Sequence, residues 1–579
     1  MNTSDSLSST ITANGYLRKW WKEAVFYQIY PRSFQDSNGD GIGDLNGIRS
    51  RLDYIKGLGV DVIWLSPHYD SPNADNGYDI RDYRQVMAEF GTMKDFDELL
   101  LAINQRKMKL ILDLVVNHTS DEHQWFVHSR QSKDNPYSDY YLWRPSREGR
   151  EPNNWVSFFA GPAWKKDLLR DEYYLHLFAE KQPDLNWDNP AVRREVYDLM
   201  KFWLDKGIDG FCMDVIPFIS KDQRFPDFDR HFDGRPEYVY AAGPKLHDYL
   251  QEMHREVLSK YDVVTVGEAL GVTLEQTPLF VDERRQELNM IFHFDLVRID
   301  RQGWRWKPWT LPAFKAICQR FNDRLDRHSW PTVYLANHDN PRAVSHFGDD
   351  SAEHRVRSAK LLATFQLTSK GTPFIYQGDE LGMTNYPFTR IEEFDDIEVQ
   401  NTWRKESSRV NVTEYLEHLR KTSRDHTRTP MQWDDSVHAG FTFGSKPWLA
   451  VNPNYKEINA KQALADQNSI YHYYQAILSL RKRTPALIYG DYRDIDPQHP
   501  SLFVYTRTLG PESYLMLLNF SRHRVSYQLP DGLKAGSLIL ANSETQEEHS
   551  TVLQMEAWEA RIYRCWPVKI TRASRGAAN

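Results

Sequence analysis

Eight short runs of apolar and β-branched residues recur between residues 24 and 380, and each ends in polar residues. They are AVFYQIYPRSF, VDVIWLSP, LILDLVVNH, GFCMDV, VVTVGEA, LNMIFHF, TVYLANHD and TPFIYQGDE. Continuous apolar runs are typical of strands buried on both faces of a parallel sheet. Amphipathic stretches such as AVRREVYDLMKFWLDKG lie between them, with glycine where a helix would stop. Eight such units predict an α/β fold, the (β/α)8 TIM barrel.

The spacing of these units is uneven and divides the chain. The segment after VVNHTS is too long for a simple loop and predicts an inserted subdomain after strand 3. After residue 491 the pattern alternates, which favours a C-terminal antiparallel β-sandwich domain. The polar segment 407–436 is predicted to be a surface excursion of the last barrel loop. The predicted parts are a disordered N-terminus (1–15), the barrel (16–118 and 188–491), the inserted subdomain (119–187) and the C-terminal domain (492–579).

Composition narrows the class of partner. Hydrophobic residues make up 40% of the chain, charged residues 26%, and the formal net charge is -8. An acidic chain without a sustained Lys/Arg run argues against nucleic acid. No apolar run reaches the length of about 18 residues that a membrane span needs. The expected partner is therefore a small neutral molecule, and the 13% of aromatic residues suits a cleft that stacks sugar rings.

Three widely separated cysteines, Cys212, Cys318 and Cys565, predict no disulfide framework. The N-terminus lacks a basic region followed by an apolar stretch, so no signal peptide is expected. Together these features predict a cytoplasmic protein, and a monomer is expected.

Carboxylates follow several of the predicted strands, and in such a barrel the carboxyl ends of the strands share one mouth. A single aspartate after a strand would be explained as a helix N-cap. Several carboxylates at one mouth raise one another's pKa and lower the stability of the fold. A catalytic role explains why such groups are kept together. Glycoside cleavage uses one carboxylate and one carboxylic acid in this way. The strand-end residues are Asp113, Asn117, His118, Asp214, Glu268, His338 and Asp339.

Four of these strand ends carry a family resemblance. DLVVNHTS, GFCMDVI, VGEA and ANHDNPR resemble the four signature regions of the α-amylase family of glycoside hydrolases, and QPDLNW resembles its oligo-1,6-glucosidase branch. The resemblance implies that Asp214 is the nucleophile and Glu268 the general acid/base. It also implies that Asp339 binds the 2- and 3-hydroxyls of the bound glucose. The implied substrate is an oligosaccharide or disaccharide, with no cofactor for catalysis.

The same resemblance implies a pocket for the non-reducing glucose. Phe159, Phe178 and Gln182 are similar to residues that shape this pocket in the family, although packing alone could also explain them. The predicted substrate-binding residues are Asp75, Tyr78, His118, Phe159, Phe178, Gln182, Val215, His338, Arg342 and Arg428.

The loop DSNGDGIGD places oxygen ligands at alternate positions, as an EF-hand loop begins, but its twelfth position is Gly47 rather than Glu. A structural Ca²⁺ or Mg²⁺ far from the chemistry is expected, and the alternative is an Asp/Gly-rich turn without metal. The predicted ligands are Asp36, Asn38, Asp40, Ile42 and Asp44.

The sequence leaves two questions open, and the first is which reaction the chain catalyses. Val215, after the nucleophile, resembles the residue that accompanies α-1,6 specificity, and predicts an exo-acting α-glucosidase for isomaltose, isomaltulose or trehalulose. The stretch RIDRQ (298–302) resembles a loop of the sucrose isomerases, so isomerisation or transglucosylation is the alternative.

The second open question is whether Cys212 affects activity, because the family normally has arginine two residues before the nucleophile. A thiol is a weak donor without charge and cannot orient Asp214 as a guanidinium would. Three outcomes stay open: another arginine, Arg342 or Arg428, covers the gap; the enzyme is weakened; or the chain is a sugar-binding protein without activity.

Overall fold

The computed structural model describes residues 10–229, 231–408, 410–545 and 551–565. Eight strands form one parallel sheet in the order β6-β5-β4-β3-β2-β1-β8-β7. At its two edges Thr332 donates a hydrogen bond to the Ile291 carbonyl at 2.9 Å, so the sheet curls into a nearly closed barrel. The predicted (β/α)8 TIM barrel is confirmed. Its strands are β1 Phe26–Ile29, β2 Val62–Leu65, β3 Lys109–Val115, β4 Gly210–Asp214, β5 Val264–Glu268, β6 Met290–Phe292, β7 Thr332–Val333 and β8 Thr372–Tyr376.

The inside of the barrel is filled by side chains that alternate along the strands. Every residue of β1, β2, β4, β5 and β8 is buried, as the continuous apolar runs predict. In the interior Trp64 stacks on Phe292 with ring centroids 5.3 Å apart. The interior cluster includes Phe26, Val62, Trp64, Ile111, Cys212, Val264, Val266, Met290, Phe292 and Phe374.

Helices surround the barrel. The longest, Pro190–Lys206, begins at Asn189, whose side chain accepts from the Ala191 amide, and ends at Gly207 with φ of 103°. The α-helices are Trp20–Glu23, Leu45–Ser50, Leu52–Leu58, Met93–Gln105, Gln124–Gln131, Pro190–Lys206, Glu237–Tyr240, Leu246–Glu256, Thr277–Val281, Leu311–Arg324, Ala343–Phe347, Arg355–Thr368, Ile397–Glu406, Val412–Thr422, Asp425–Arg428, Ala460–Ala465, Ile470–Arg483 and Pro485–Tyr489. Short 3-10 helices are Pro31–Ser33, Ile216–Phe218, Leu258–Lys260, Asp379–Leu381, Ile391–Glu393, Val437–Gly440 and Pro453–Lys456. None of the described helices is long and apolar enough to cross a membrane.

The segment between β3 and the helix Pro190–Lys206 has its own small sheet. Trp143–Arg144 and Trp164–Asp167 pair antiparallel on either side of Glu172–Leu175. A bridge between His118 and Asp184 ties this segment to the end of β3. The segment therefore lies beside the mouth of the barrel. Two further short antiparallel pairs join Tyr69–Asp70 to Asp82–Val86 and Arg301–Gln302 to Arg305–Trp306.

The predicted antiparallel C-terminal domain is present. Five strands run in the order β9-β10-β11-β15-β13, and β12 pairs with β14 beside them. Leu502, Leu515 and Leu553 belong to its buried core. Residues 566–579 of the predicted domain lie outside the described residues. The strands are β9 Asp491–Asp494, β10 Leu502–Leu509, β11 Glu512–Asn519, β12 Val525–Gln528, β13 Leu538–Ala541, β14 Val552–Met555 and β15 Ala560–Cys565.

The predicted disorder of residues 1–15 falls largely on positions 1–9, which lie outside the described residues. Residues 10–15 instead form a turn, in which the Thr12 amide donates to the Tyr16 carbonyl at 2.9 Å. The Asn14 side chain donates to the Tyr489 carbonyl at 2.9 Å. These hydrogen bonds order this part because they tie it to the helix that precedes the C-terminal domain.

Candidate active site

A cavity of about 960 Å³ opens at the carboxyl end of the barrel strands. Asp214 is the last residue of β4 and Glu268 the last residue of β5, so both carboxyl groups reach this end of the sheet. The cavity brings together nine of the residues predicted from the sequence. They are Asp75, Tyr78, His118, Phe159, Phe178, Asp214, Val215, Glu268 and Asp339.

Asp214 and Glu268 are both buried at the ends of the neighbouring strands β4 and β5, and their carboxyl groups interact electrostatically. Burial raises the pKa of both groups; the negative charge of Asp214 also raises the pKa of Glu268, and the charges of Asp113 and Asp339 raise that of Asp214. A pair of neighbouring buried carboxyl groups favours one shared proton, so that one group is an acid while the other is a carboxylate.

Asp339 is held ionised by two arginines. Arg428 donates from Nη2 to Asp339 Oδ1 at 2.7 Å, and Arg424 donates from Nη1 to the same oxygen at 3.3 Å. Burial would raise the pKa of Asp339, but His338, Arg424 and Arg428 hold it below its usual range. Asp339 is thus an anionic hydrogen-bond acceptor at the pH where Glu268 keeps its proton.

His338 lies behind the cavity wall rather than in it. Its ring stacks on Tyr78 with centroids 5.1 Å apart and an interplanar angle of 5°, and Tyr30 lies on its other side at 6.0 Å. Gln28 Nε2 contacts His338 Nδ1 at 2.8 Å. Burial lowers the pKa of His338 to about 4, so the ring is neutral near pH 7. Its structural contribution is to support Tyr78, which does line the cavity.

Gln182 connects residues of the cavity without lining it. It is fully buried, donates to Asp75 Oδ2 at 3.1 Å, and lies 3.2 Å from His118 Nε2. Burial raises the pKa of Asp75 to about 7, against the lowering effect of Arg424 and Arg428. Burial also lowers the pKa of His118 to about 4. This cluster is a closed, hydrogen-bonded end of the cavity.

Val215 has an unusual backbone conformation next to Asp214. Its φ of 36° and ψ of 39° are left-handed, which is costly for a β-branched residue. The turn leads directly into the 3-10 helix Ile216–Phe218 and leaves the Val215 side chain at the cavity wall. Phe159 and Phe178, which also line the cavity, form an edge-to-face pair with ring centroids 5.6 Å apart.

Arg342 does not reach the cavity, so the structure contradicts its predicted role in substrate binding. It is fully buried, and its guanidinium donates to the carbonyls of His426, Gln377 and Thr427. The side chain stabilises the backbone that carries Arg428. The guanidinium of Arg428, by contrast, is paired with Asp339 through Nη2.

Arg424 is the main site residue that the sequence analysis missed. It lines the cavity, and it lies in the segment predicted to be a surface excursion, where Asp425–Thr429 are in fact buried. Its partner Asp396 was missed as well. The spacing in SRDHTR offered a signal, because Arg424 and Arg428 are four residues apart and share one side of a helical turn. The outer part of the cavity is lined by Arg298, Arg301, Gln302, Trp304, Glu237 and Glu398.

Two of the predicted metal ligands, Asp36 and Asp44, accept hydrogen bonds from backbone amides in or next to their own loop. Asp36 accepts hydrogen bonds from the amides of Asn38, Gly39 and Gly41. Asp44 caps the helix Leu45–Ser50 through the Gly47 amide. Over the described part of the chain no group of three or more His, Cys, Asp or Glu side chains could hold a metal ion. The carboxylates of this loop therefore do not form a three-carboxylate site as they stand.

A barrel that gathers three carboxyl groups, those of Asp214, Glu268 and Asp339, in one cavity at the carboxyl ends of its strands has the arrangement of a glycoside hydrolase. The sequence profile of the α-amylase catalytic domain matches residues 28–490, and the chain belongs to the α-amylase family.

Relatives and solved structures agree with this assignment. The chain is 53% identical to an oligo-1,6-glucosidase of Parageobacillus thermoglucosidasius, and 50% identical to one of Bacillus cereus. Each alignment covers 94% of this chain and 99% of the relative. A mutant isomaltulose synthase of Erwinia rhapontici in complex with its natural substrate sucrose is 52% identical, with a TM-score of 0.94 over 95% of this chain and 100% of that one. A mutant trehalulose synthase in complex with Tris is 51% identical, with a TM-score of 0.93 over 94% and 100%.

Proposed function

We propose that this enzyme is a retaining, exo-acting α-glucosidase that hydrolyses short α-1,6-linked glucosides such as isomaltose and isomaltulose. The observation that carries the proposal is the Asp214–Glu268 pair in a cavity whose inner end is closed by Asp75, His118 and Gln182. A closed inner end accommodates one terminal sugar, which is the requirement for removing single glucose units. The 50–53% identity to oligo-1,6-glucosidases and the presence of Val215 support the α-1,6 preference.

The chemistry follows from the two protonation states. Asp214 attacks the anomeric carbon of the bound glucose while Glu268 gives its proton to the departing glycosidic oxygen. The products of this step are a glucosyl–Asp214 ester and the free aglycone. Glu268, now ionised, takes a proton from water, which attacks the ester and releases glucose. Asp339 accepts hydrogen bonds from sugar hydroxyls because its arginine partners keep it anionic.

A second candidate function is sucrose isomerisation. It is favoured by Arg298, Arg301 and Gln302, which line the outer part of the cavity where an aglycone would lie. Structural neighbours at 51–52% identity include isomaltulose and trehalulose synthases. In this reaction the released sugar, rather than water, would attack the glucosyl ester.

A product profile of the purified protein tests both functions. We expect rapid release of glucose from isomaltose and isomaltulose, slow release from maltose, and little reaction with sucrose. Isomaltulose or trehalulose as the main product from sucrose would establish the second candidate. No turnover of any of these sugars, with binding retained in calorimetry, would establish a sugar-binding protein.

We further propose a cytoplasmic monomer and a cation at the loop of residues 36–44. The three cysteines are all free, which suits a reducing compartment. The cation is supported by the oxygen side chains at alternate positions of the loop, and stays a prediction. Unfolding temperatures measured after chelation and after adding back Ca²⁺ or Mg²⁺ test it, and equal temperatures in all three samples would exclude it.

A further inference from the structure

Asp113 is a carboxyl group below the sugar cavity, and no cation among the described residues forms an ion pair with it. It lies on β3, is fully buried, and does not line the cavity. Its Oδ2 atom accepts hydrogen bonds from the Tyr78 hydroxyl at 3.1 Å and from the Trp64 indole at 3.3 Å. Its Oδ1 atom is buried and has no hydrogen-bond partner within the described residues. One oxygen is therefore occupied and the other is isolated.

Cys212 is the residue opposite Asp113 in the register between β3 and β4. Its thiol is buried in the apolar barrel interior, where burial raises its pKa well above the usual value. A neutral thiol cannot balance a carboxylate. The arginine that the family resemblance implies at this position would bring a guanidinium to the same level of the barrel.

The other groups that face Asp113 do not balance it either. Trp64, from β2, and Tyr69, from the short strand Tyr69–Asp70 that follows it, are neutral, and the Tyr69 hydroxyl donates to the Asp113 carbonyl at 2.6 Å. Asp214, Glu268 and Asp339 are acidic and interact electrostatically with Asp113. The cations of the site, Arg424 and Arg428, are both bonded to Asp339. Isolated buried carboxylates are strongly disfavoured and take up a proton instead.

We propose that Asp113 holds a proton in the working enzyme, and that this neutral acid is a positioning residue that anchors Tyr78 in a chain with Cys212 in place of arginine. The proton belongs on Oδ1, because the two donors already occupy Oδ2. Burial raises the pKa of Asp113 to about 8, against the lowering effect of the hydrogen bonds from Tyr78 and Trp64.

The consequence concerns the nucleophile. A neutral Asp113 adds no negative charge beside Asp214, so Asp214 can ionise without an arginine neighbour. Above about pH 8 Asp113 would lose its proton, and its charge would raise the pKa of Asp214 and Glu268 further. The loss of activity at alkaline pH would then depend on Asp113, a group that touches neither sugar nor water in the reaction.

Infrared difference spectroscopy tests the proton directly and needs no substrate. The spectrum of Asp113→Asn is subtracted from that of the unchanged protein at pH 6.5. We expect the difference to contain the carbonyl band of one protonated carboxyl, with a downshift in deuterium oxide. If the difference spectrum contains the bands of an ionised carboxylate instead, the proposal is overturned. This readout is independent of the proposed function, because it holds whichever sugar the enzyme converts.

Kinetics test the positioning role, with whichever α-glucoside or sucrose the product profile selects. Asp113→Asn keeps the shape of the neutral acid, and we expect kcat/KM at pH 6.5 within about threefold of the unchanged protein and an alkaline limb moved to higher pH. Asp113→Ala removes the acceptor for Tyr78, and KM should rise at least about tenfold. Equal effects of the two substitutions would overturn the positioning role.

A double-mutant cycle links Asp113 to Cys212. In Cys212→Arg the guanidinium should ionise Asp113, so adding Asp113→Asn should then cost at least about tenfold in kcat/KM. Cys212→Ala is the matched control and should leave the effect of Asp113→Asn unchanged. Additive effects in the arginine background would overturn the link. If circular dichroism shows that Cys212→Arg does not fold, the proposal is decided by the infrared band and by the comparison of Asp113→Asn with Asp113→Ala.

Discussion

Arg424 binds Asp396 through two hydrogen bonds, from Nε to Oδ2 at 2.9 Å and from Nη2 to Oδ1 at 2.5 Å. Asp396 also caps the helix Ile397–Glu406 by accepting from the Glu398 amide at 2.9 Å. The guanidinium is thereby fixed in a position from which Nη1 reaches Asp339. A loop far along the sequence from the nucleophile thus sets the charge of a site carboxylate.

Removing this guanidinium should weaken both sugar binding and turnover. In Arg424→Met, Asp339 loses one of its two arginine partners, and Asp396 is left as a buried charge. We expect kcat/KM to fall about 10- to 100-fold, the range for one charge-assisted hydrogen bond. Arg404→Met, at an exposed position, is the matched control. Steady-state kinetics of both variants measure the effect, and equal activities would show that Arg424 has no role in the site.

Glu268→Gln should separate proton donation from nucleophilic attack. The amide cannot protonate a leaving group, so hydrolysis of isomaltose should fall about 10²- to 10⁴-fold. An aryl glucoside whose phenolate leaves without a proton should form the glucosyl ester at a much less affected rate. Pre-steady-state release of the phenol measures this step. An equal loss on both substrates would contradict the assignment of Glu268 as the acid.

Val215→Thr should shift linkage preference. Threonine is β-branched like valine, so it can take the same left-handed turn at similar cost, but it places a hydroxyl at the cavity wall. We expect the ratio of kcat/KM for isomaltose to that for maltose to fall about tenfold. The unfolding temperature is the control and should change little. An unchanged ratio would mean that residue 215 does not select the linkage.

Asp379 should make stability depend on pH. Burial raises its pKa to about 7, from 3.8 in an unperturbed aspartate, so the folded chain binds a proton that the unfolded chain has released. Between about pH 4 and 7 the native state therefore binds more protons, and this group lowers the free energy of unfolding as pH rises. Above pH 7 the effect is complete.

Asp379→Asn removes this titration. Relative to the unchanged protein, it should gain about 2 kcal/mol or more of stability on going from pH 4.5 to pH 8. Urea unfolding at the two pH values measures the difference. Asp531→Asn, at an exposed position outside the site and outside the loop of residues 36–44, is the control. A pH-independent difference for Asp379→Asn would show that Asp379 is ionised in the folded state.

The sequence by itself determined the barrel and its catalytic carboxylates. Strands buried on both faces must be continuously apolar, so β1, β2, β4, β5 and β8 could be recognised without contacts. Carboxyl ends of parallel strands share one edge, so Asp214 and Glu268 could be placed together from their positions after two strands. Short-range pattern and chain direction are sufficient for both conclusions.

Only the tertiary structure decided which charges meet. Arg342 and Arg424 are both arginines near polar motifs, yet Arg342 ties backbone carbonyls together and Arg424 lines the cavity. Their separation from Asp339 in sequence has no relation to their distance in space. The same holds for Asp113, which lies opposite Cys212 in the strand register and forms no ion pair with a cation in the part of the chain that the structure describes. Hydrogen bonds and ion pairs form over a few ångströms, and only the folded chain brings these groups within that range.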